Sequence, residues 1–143
     1  MKEIVVELKE EEIYDPNEAR KEFVRRMEKE GYEVLLPAED ELFIDIDSAE
    51  QREIFERNFG ILKNNWRKEF NGPIPTMESS KPSKSGWPCC HVVVKVPFPL
   101  VSDFHRIAWQ GALGSDPIRE LLSLIRCLNG DEHPTLFVEK KGG

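Results

Sequence analysis

The sequence contains no apolar run near the roughly 18 residues that a membrane-crossing helix needs. Its first residues, Met1, Lys2 and Glu3, lack the basic and then apolar regions of a signal peptide. Cysteine is scarce: Cys89, Cys90 and Cys127 are an odd set with no CxxC spacing, which reads as reduced thiols rather than a disulfide framework. A zinc cluster built from these with His91 and His133 fits poorly, because adjacent cysteines on a strand point to opposite faces. Basic charge is not in excess either, since 20 Lys and Arg stand against 27 Asp and Glu for a net charge of −7. Any contact with nucleic acid must therefore be local rather than one broad basic surface. No repeat and no long internal linker is visible. These absences together predict a water-soluble, cytoplasmic protein without membrane partners.

What is present is enough apolar residue, 39% of 143, to build one packed core, so the expected unit is a single domain over 1–143. Charge is unevenly spread. Most of the acid lies in the first 58 residues, including Glu10–Glu12 and Glu39–Glu41, whereas Lys63, Arg67, Lys68, Lys81 and Lys84 face only Glu69 and Glu78. An acidic face of this kind also serves simply to keep a small protein in solution.

Periodicity sets the expected elements. Ile4, Val5, Val6 and Leu8 suggest a first strand, and Asp15 before Pro16 opens a helix that Gly31 stops. A short strand is expected over Glu33–Leu36. Leu42–Asp47 then alternates with period two, and Ser48 with Gln51 forms a capping box for a helix carrying Ile54, Phe55, Ile61 and Leu62. The polar stretch Met77–Trp87 reads as a hairpin loop or a mobile arm. Cys89–Val96 is the strongest strand, with four β-branched valines ended by Pro97 and Pro99. Helices are expected over Ser102–Leu113 and from Asp116 to Gly130, the second burying Leu121, Leu122, Ile125 and Leu128. Thr135–Glu139 makes a last strand. The fold class is α+β: an RRM-like mixed or antiparallel sheet with helices on one face and the site on the open one.

The alternation over Leu42–Asp47 puts Ile44 and Ile46 in the core and turns Asp45 and Asp47 together to the other face, with Cα atoms roughly 6.5–7 Å apart. Two such carboxylates repel, and a hard cation, Mg²⁺ or Mn²⁺, relieves the repulsion. Alone, the pair is more readily two solvent-facing aspartates, with Asp47 helping to begin the next helix beside Ser48. In Cys89–Val96 the same logic sends Cys90, Val92, Val94 and Val96 inward and Cys89, His91, Val93 and Lys95 outward. His91 then shares a face with the aspartates, where it could hold a phosphate or orient a carboxylate. Lys81 and Lys84, with the amides near Ser85 and Gly86, offer an anion cradle. Asp116 before Pro117 is sufficiently explained as an N-cap, but a third carboxylate would also complete a two-metal site. Arg119 and Arg126, seven apart, share a helical face.

A hydrophobic strand ending in DxD (Asp45, Asp47), a small residue two before a histidine on a valine-rich strand (Cys89, His91), and a late aspartate (Asp116) together resemble the catalytic core of the archaeo-eukaryotic primase superfamily. The likeness spans about Phe43 to Arg126 and is nearest to small phage-type primase-polymerases. It implies metal binding by Asp45, Asp47 and Asp116, and nucleotide binding by Lys84, Ser85, Cys89, His91 and Arg119. It also implies Mg²⁺ or Mn²⁺ as cofactor, nucleoside triphosphates and a single-stranded DNA template as partners, and a replicative helicase or another replication protein beside it in the host cytoplasm. Cys89 stands where that family usually has serine, and no zinc module or helicase accompanies the core.

Two function classes follow. The first is template-directed nucleotidyl transfer. The second is a non-catalytic RRM-like module for single strands or a partner, but such sheets display stacking aromatics and here Phe43 is the only clear one on that face, with Trp87 nearby. A cysteine hydrolase using Cys89 and His91 lacks an oxyanion donor and an orienting residue.

Overall fold

Side-chain oxygens at the helix starts decide where each helix begins. In the computed structural model, which describes residues 15–70, 72–83 and 86–140, Asp15 caps α1 (Pro16–Lys29) by accepting from the amides of Asn17 and Glu18. Ser48 caps α2 (Ala49–Glu69), Ser102 caps α3 (Asp103–Ala112) and Asp116 caps α4 (Pro117–Leu128). Each cap supplies an acceptor for first-turn amides that have no partner within the helix. The expected strand over Ile4–Leu8 lies outside the described residues. Among the described residues, no helix is long and apolar enough to cross a membrane.

The strands form two antiparallel sheets rather than one. The larger has the order β2 (Glu41–Ile46), β4 (Cys90–Lys95), β3 (Thr76–Pro82), and the smaller pairs β1 (Tyr32–Leu35) with β5 (Phe137–Lys140). The α+β class is thus the observed one. Leu42, Ile44 and Ile46 of β2 stand opposite Val94, Val92 and Cys90 of β4, and all six are buried with Phe55 and Phe59 of α2. That is the core the alternation predicts.

Three expectations need correction. Thr76–Pro82 is a strand, not part of a loop; its sequence, TMESSKP, is polar because an outer strand needs only backbone pairing to β4, and its side chains lie mostly in solvent. Just past the paired strands, Ser83 N–H donates to Cys89 C=O at 2.8 Å. Second, α4 buries Glu120 and Ser123, and leaves Ile118, Leu121, Leu122, Ile125 and Leu128 exposed. Its polar side is drawn inward by partners on β2 and α3, described next. Third, the face of the large sheet opposite α2 is not open: β5 crosses it, and the Phe137 ring stacks on Phe43 at 4.3 Å and on His91 at 4.0 Å.

The outer edge of β2 has no strand partner, so its outward N–H and C=O groups need other ones. The α3–α4 hairpin supplies them. Arg106 donates to the carbonyls of Glu41 and Ala38, Gln110 Oε1 accepts from Phe43 N–H at 2.8 Å, Arg119 donates to Phe43 C=O, and Ser115 Oγ accepts from Asp45 N–H at 2.9 Å. Backbone completes the row, with Asp116 N–H donating to Asp45 C=O at 2.7 Å. Gln110, fully buried, also donates to Glu120 at 2.8 Å, and Glu120 receives Arg119 at 2.7 Å. This network explains why the polar face of α4 is the buried one.

Replacing Gln110 by leucine adds apolar volume to a fully buried position, yet it strips an acceptor from Phe43 N–H and a donor from Glu120. Each buried group left without a partner costs about 1–3 kcal/mol. Gln110→Leu should therefore lower the unfolding free energy by about 2–4 kcal/mol in urea titration; an equal or higher stability would show that the β2 edge does not depend on it.

Candidate metal centre

At one end of the large sheet β2 finishes, β4 begins, and α2 and α4 both start. Alternation turns Asp45 off the core face, and Asp47 follows just past the strand. Gly114, between α3 and α4, has φ +85° and lies so close to α2 that a Cβ would meet Ile54 Cγ2 at 2.8 Å. Only glycine fits that conformation and that approach. The turn it permits sets Ser115 and Asp116 against the backbone of Asp45. As a result one carboxylate oxygen from each of Asp45, Asp47 and Asp116 lies within 4.8 Å of the others. Asp47 is exposed, and the other two are half-buried.

Gln51 ties the cluster together from α2. Its Oε1 accepts from Asp47 N–H at 2.7 Å and its Nε2 donates to Asp116 Oδ1 at 3.4 Å. The other oxygen of Asp116 accepts from Arg119 N–H at 3.4 Å. Asp116 thus caps α4 and faces the aspartate pair at once. Cys89 sits at the same end, its thiol donating to Asp47 C=O at 3.3 Å.

Electrostatics follow from the crowding. Burial, then the Asp47 charge, push the Asp45 carboxyl up to about 6, against the lowering pull of Arg119. Asp47 is raised as well, by desolvation first and then by the charge and the hydrogen-bonding carboxyl of Asp116. Oxygens bound to one Mg²⁺ or Mn²⁺ at about 2.0–2.2 Å lie roughly 3–4.4 Å from each other. A spread within 4.8 Å is close to that, so small side-chain rotations suffice. The donor set also fits, being all oxygen and net negative.

The proposed nucleotide ligands are dispersed. Lys84 and Ser85 lie outside the described residues. His91 is directly opposite Asp45 on the paired strand, on the expected face, with Nε2 at 3.9 Å from Asp45 Oδ1. Its side chain is only 13% exposed, under Phe137, and Nδ1 is 3.5 Å from Glu139 Oε1. Burial holds its pKa down, opposed by Glu139. The expectation of a solvent-facing histidine is therefore corrected: the imidazole is enclosed between a carboxylate of β2 and one of β5. Arg119 is equally committed, to Phe43 C=O, to Glu120 and, at 3.4 Å, to Leu136 C=O. Gln51, Gln110, Ser115, Glu120, Phe137 and Glu139 were not singled out as site residues by sequence reasoning. Only Gln51 carried a signal, as the capping-box partner of Ser48; the others act through contacts between elements remote in the chain.

Comparison with models of protein families, with characterised proteins and with solved structures gives no match in any of the three.

A carboxyl raised in the folded state stabilises the fold below its unfolded pKa, and that stability is lost as pH rises through the folded value. For Asp45 the interval runs from 3.8 to about 6, which corresponds to on the order of 3 kcal/mol. Without divalent cation, Asp45→Asn should match the wild type at about pH 4 and exceed its stability by up to about 3 kcal/mol near pH 8. Chemical denaturation at the two pH values measures it; a pH-independent difference would mean that Asp45 is not strained by its neighbours.

Proposed function

We propose that the chain is a metal-dependent nucleotidyltransferase of primase-polymerase type that adds nucleotides on a single-stranded template in the cytoplasm. One observation carries the reading: the carboxylates of Asp45 in β2, of Asp47 just past it and of Asp116, remote in the chain at the start of α4, meet within 4.8 Å at the exposed end of the sheet. The convergence raises the cost of ionising Asp45, and a bound divalent cation would offset that cost. The resemblance of Asp45, Asp47, Cys89, His91 and Asp116 to the primase-polymerase motifs gives the same residues the same task.

In this reading Asp45, Asp47 and Asp116 hold Mg²⁺ or Mn²⁺, which when bound supplies charge neutralisation for a triphosphate and for an attacking hydroxyl. Gln51 and Ser115 fix the carboxylates, the first through the Asp47 amide and Asp116, the second through the Asp45 amide. His91, enclosed beside Asp45, orients that carboxylate rather than gripping phosphate. Triphosphate contact then falls to the hairpin, where Lys81 is exposed and Lys84 follows. The alternative of an RRM-like platform loses ground, because the sheet-face aromatic Phe43 is buried under Phe137.

Incorporation of labelled nucleotide on primed and unprimed DNA single strands, with Mg²⁺ and with Mn²⁺, tests the reading. Asp45→Ala or Asp116→Ala should reduce the rate by at least about 10³-fold, the equivalent of the several kcal/mol that a catalytic metal supplies. The same cations should raise the melting temperature of the wild type and leave that of Asp45→Ala unchanged. Absence of incorporation together with absence of cation stabilisation would remove the proposal.

A further inference from the structure

Helix α4 turns its apolar side to solvent: Ile118, Leu121, Leu122, Ile125 and Leu128 are between 44% and 69% exposed. Single apolar side chains on a surface need no explanation, but a contiguous set does. Ile118, Leu121, Ile125 and Leu128 follow one another at steps of three, four and three residues. That is the spacing of a coiled-coil seam, with isoleucine at the first and leucine at the fourth place of each heptad, the combination that in parallel coiled coils selects two strands. Ser123, halfway round the helix from the seam, is fully buried, and Glu120 beside it is held by Gln110. The seam therefore points directly outward, and the helix that carries it is already fixed by the hydrogen bonds along the edge of β2. A two-heptad helix would not form and pair on its own, but one held rigid by its protein has no ordering cost to meet.

The flanks of the seam say what fits it. In a chain with 33% charged residues, the flanking positions are Pro117, Leu122, Leu124 and Asn129, none of them charged. Such positions ordinarily carry the Glu and Lys that select a different partner. In a two-fold contact each patch meets its own copy, so a charge there would face its own sign, and an uncharged flank removes that repulsion. Of the two arginines of α4, Arg119 is turned to Phe43 C=O and Glu120, and Arg126 lines a groove with Phe23 of α1 to one side. Area agrees. With about 150 Å² of apolar surface per leucine or isoleucine side chain, five half-exposed ones offer roughly 400 Å² per copy. At the roughly 65% apolar share of homodimer interfaces this corresponds to about 1,200 Å² in total, the lower end of specific interfaces.

We infer that α4 is the interface of a two-fold dimer, its outward seam packed against the α4 of a second copy of this chain. The inference is independent of the nucleotidyl-transfer reading, because no seam residue belongs to the carboxylate cluster. Sedimentation equilibrium of the full chain should show monomer and dimer in exchange, with a dissociation constant of about 10–100 µM, as a small interface predicts. Ile125→Glu should weaken the dimer at least about 30-fold, as at the centre of an interface, and leave the melting temperature of the dilute monomer unchanged. Leu128→Lys, in the exposed last turn, should act likewise and decides the matter if Ile125→Glu does not fold. Ile61→Glu, at an exposed position of α2, should leave association as it is. A dimer that survives both seam substitutions, or a monomer up to about ten times the expected dissociation constant, would overturn the inference. Within that monomeric outcome, a lowered melting temperature in Ile125→Glu would give the seam to residues 1–14 of the same chain, and an unchanged one to a different protein.

Discussion

The outer edge of β2 is the constraint on which the rest of the molecule depends. A strand with a partner on one side only presents alternate N–H and C=O groups that must be paired or wetted. Here they are met by Arg106, Gln110, Ser115, Arg119 and the amide of Asp116. Satisfying the edge fixes the α3–α4 hairpin in register with β2. Register then puts Asp116 beside Asp45 and Asp47, so the carboxylate cluster follows from strand-edge hydrogen bonding.

That arrangement sets electrostatics against stability. Three carboxylates converge, and Arg119, whose charge acts on Asp45, is already shared with Phe43 C=O and Glu120. Its charge lowers the Asp45 pKa but loses to desolvation and Asp47, and the carboxyl remains raised. A divalent cation would exchange mutual repulsion for coordination. Local strain at a site, offset by a network elsewhere, is the pattern expected where ligand binding has shaped the residues.

Coverage by β5 divides the sheet face from the sheet end. Phe137 closes over Phe43 and His91, which removes that face as a binding surface and encloses the imidazole between Asp45 and Glu139. The candidate site is left at the end of the sheet, where Asp47 is exposed and the turn carrying Trp87 begins. The same packing turns the leucines of α4 outward, because the helix is held by Glu120 and Arg119 rather than by its apolar stripe.

Period-two alternation alone determined that Leu42, Ile44, Ile46, Cys90, Val92 and Val94 form one core face and that Asp45 and His91 share the other, because side-chain direction in a strand is a local property. Cap chemistry likewise determined the starts of α1, α2 and α4. The strand TMESSKP was illegible, since an edge strand is selected by its neighbour's backbone and not by its own side chains. The buried face of α4 is the reverse of the one its periodicity predicts: periodicity identifies an apolar stripe, but only the unpaired edge of β2 decides that Glu120 turns inward. Proximity of Asp116 to the DxD pair, and the covering of His91 by Phe137, are contacts between residues far apart in the chain. No local pattern encodes them, and the tertiary structure decides both through the hydrogen bonds and stacked rings that join β2 to α4 and β5.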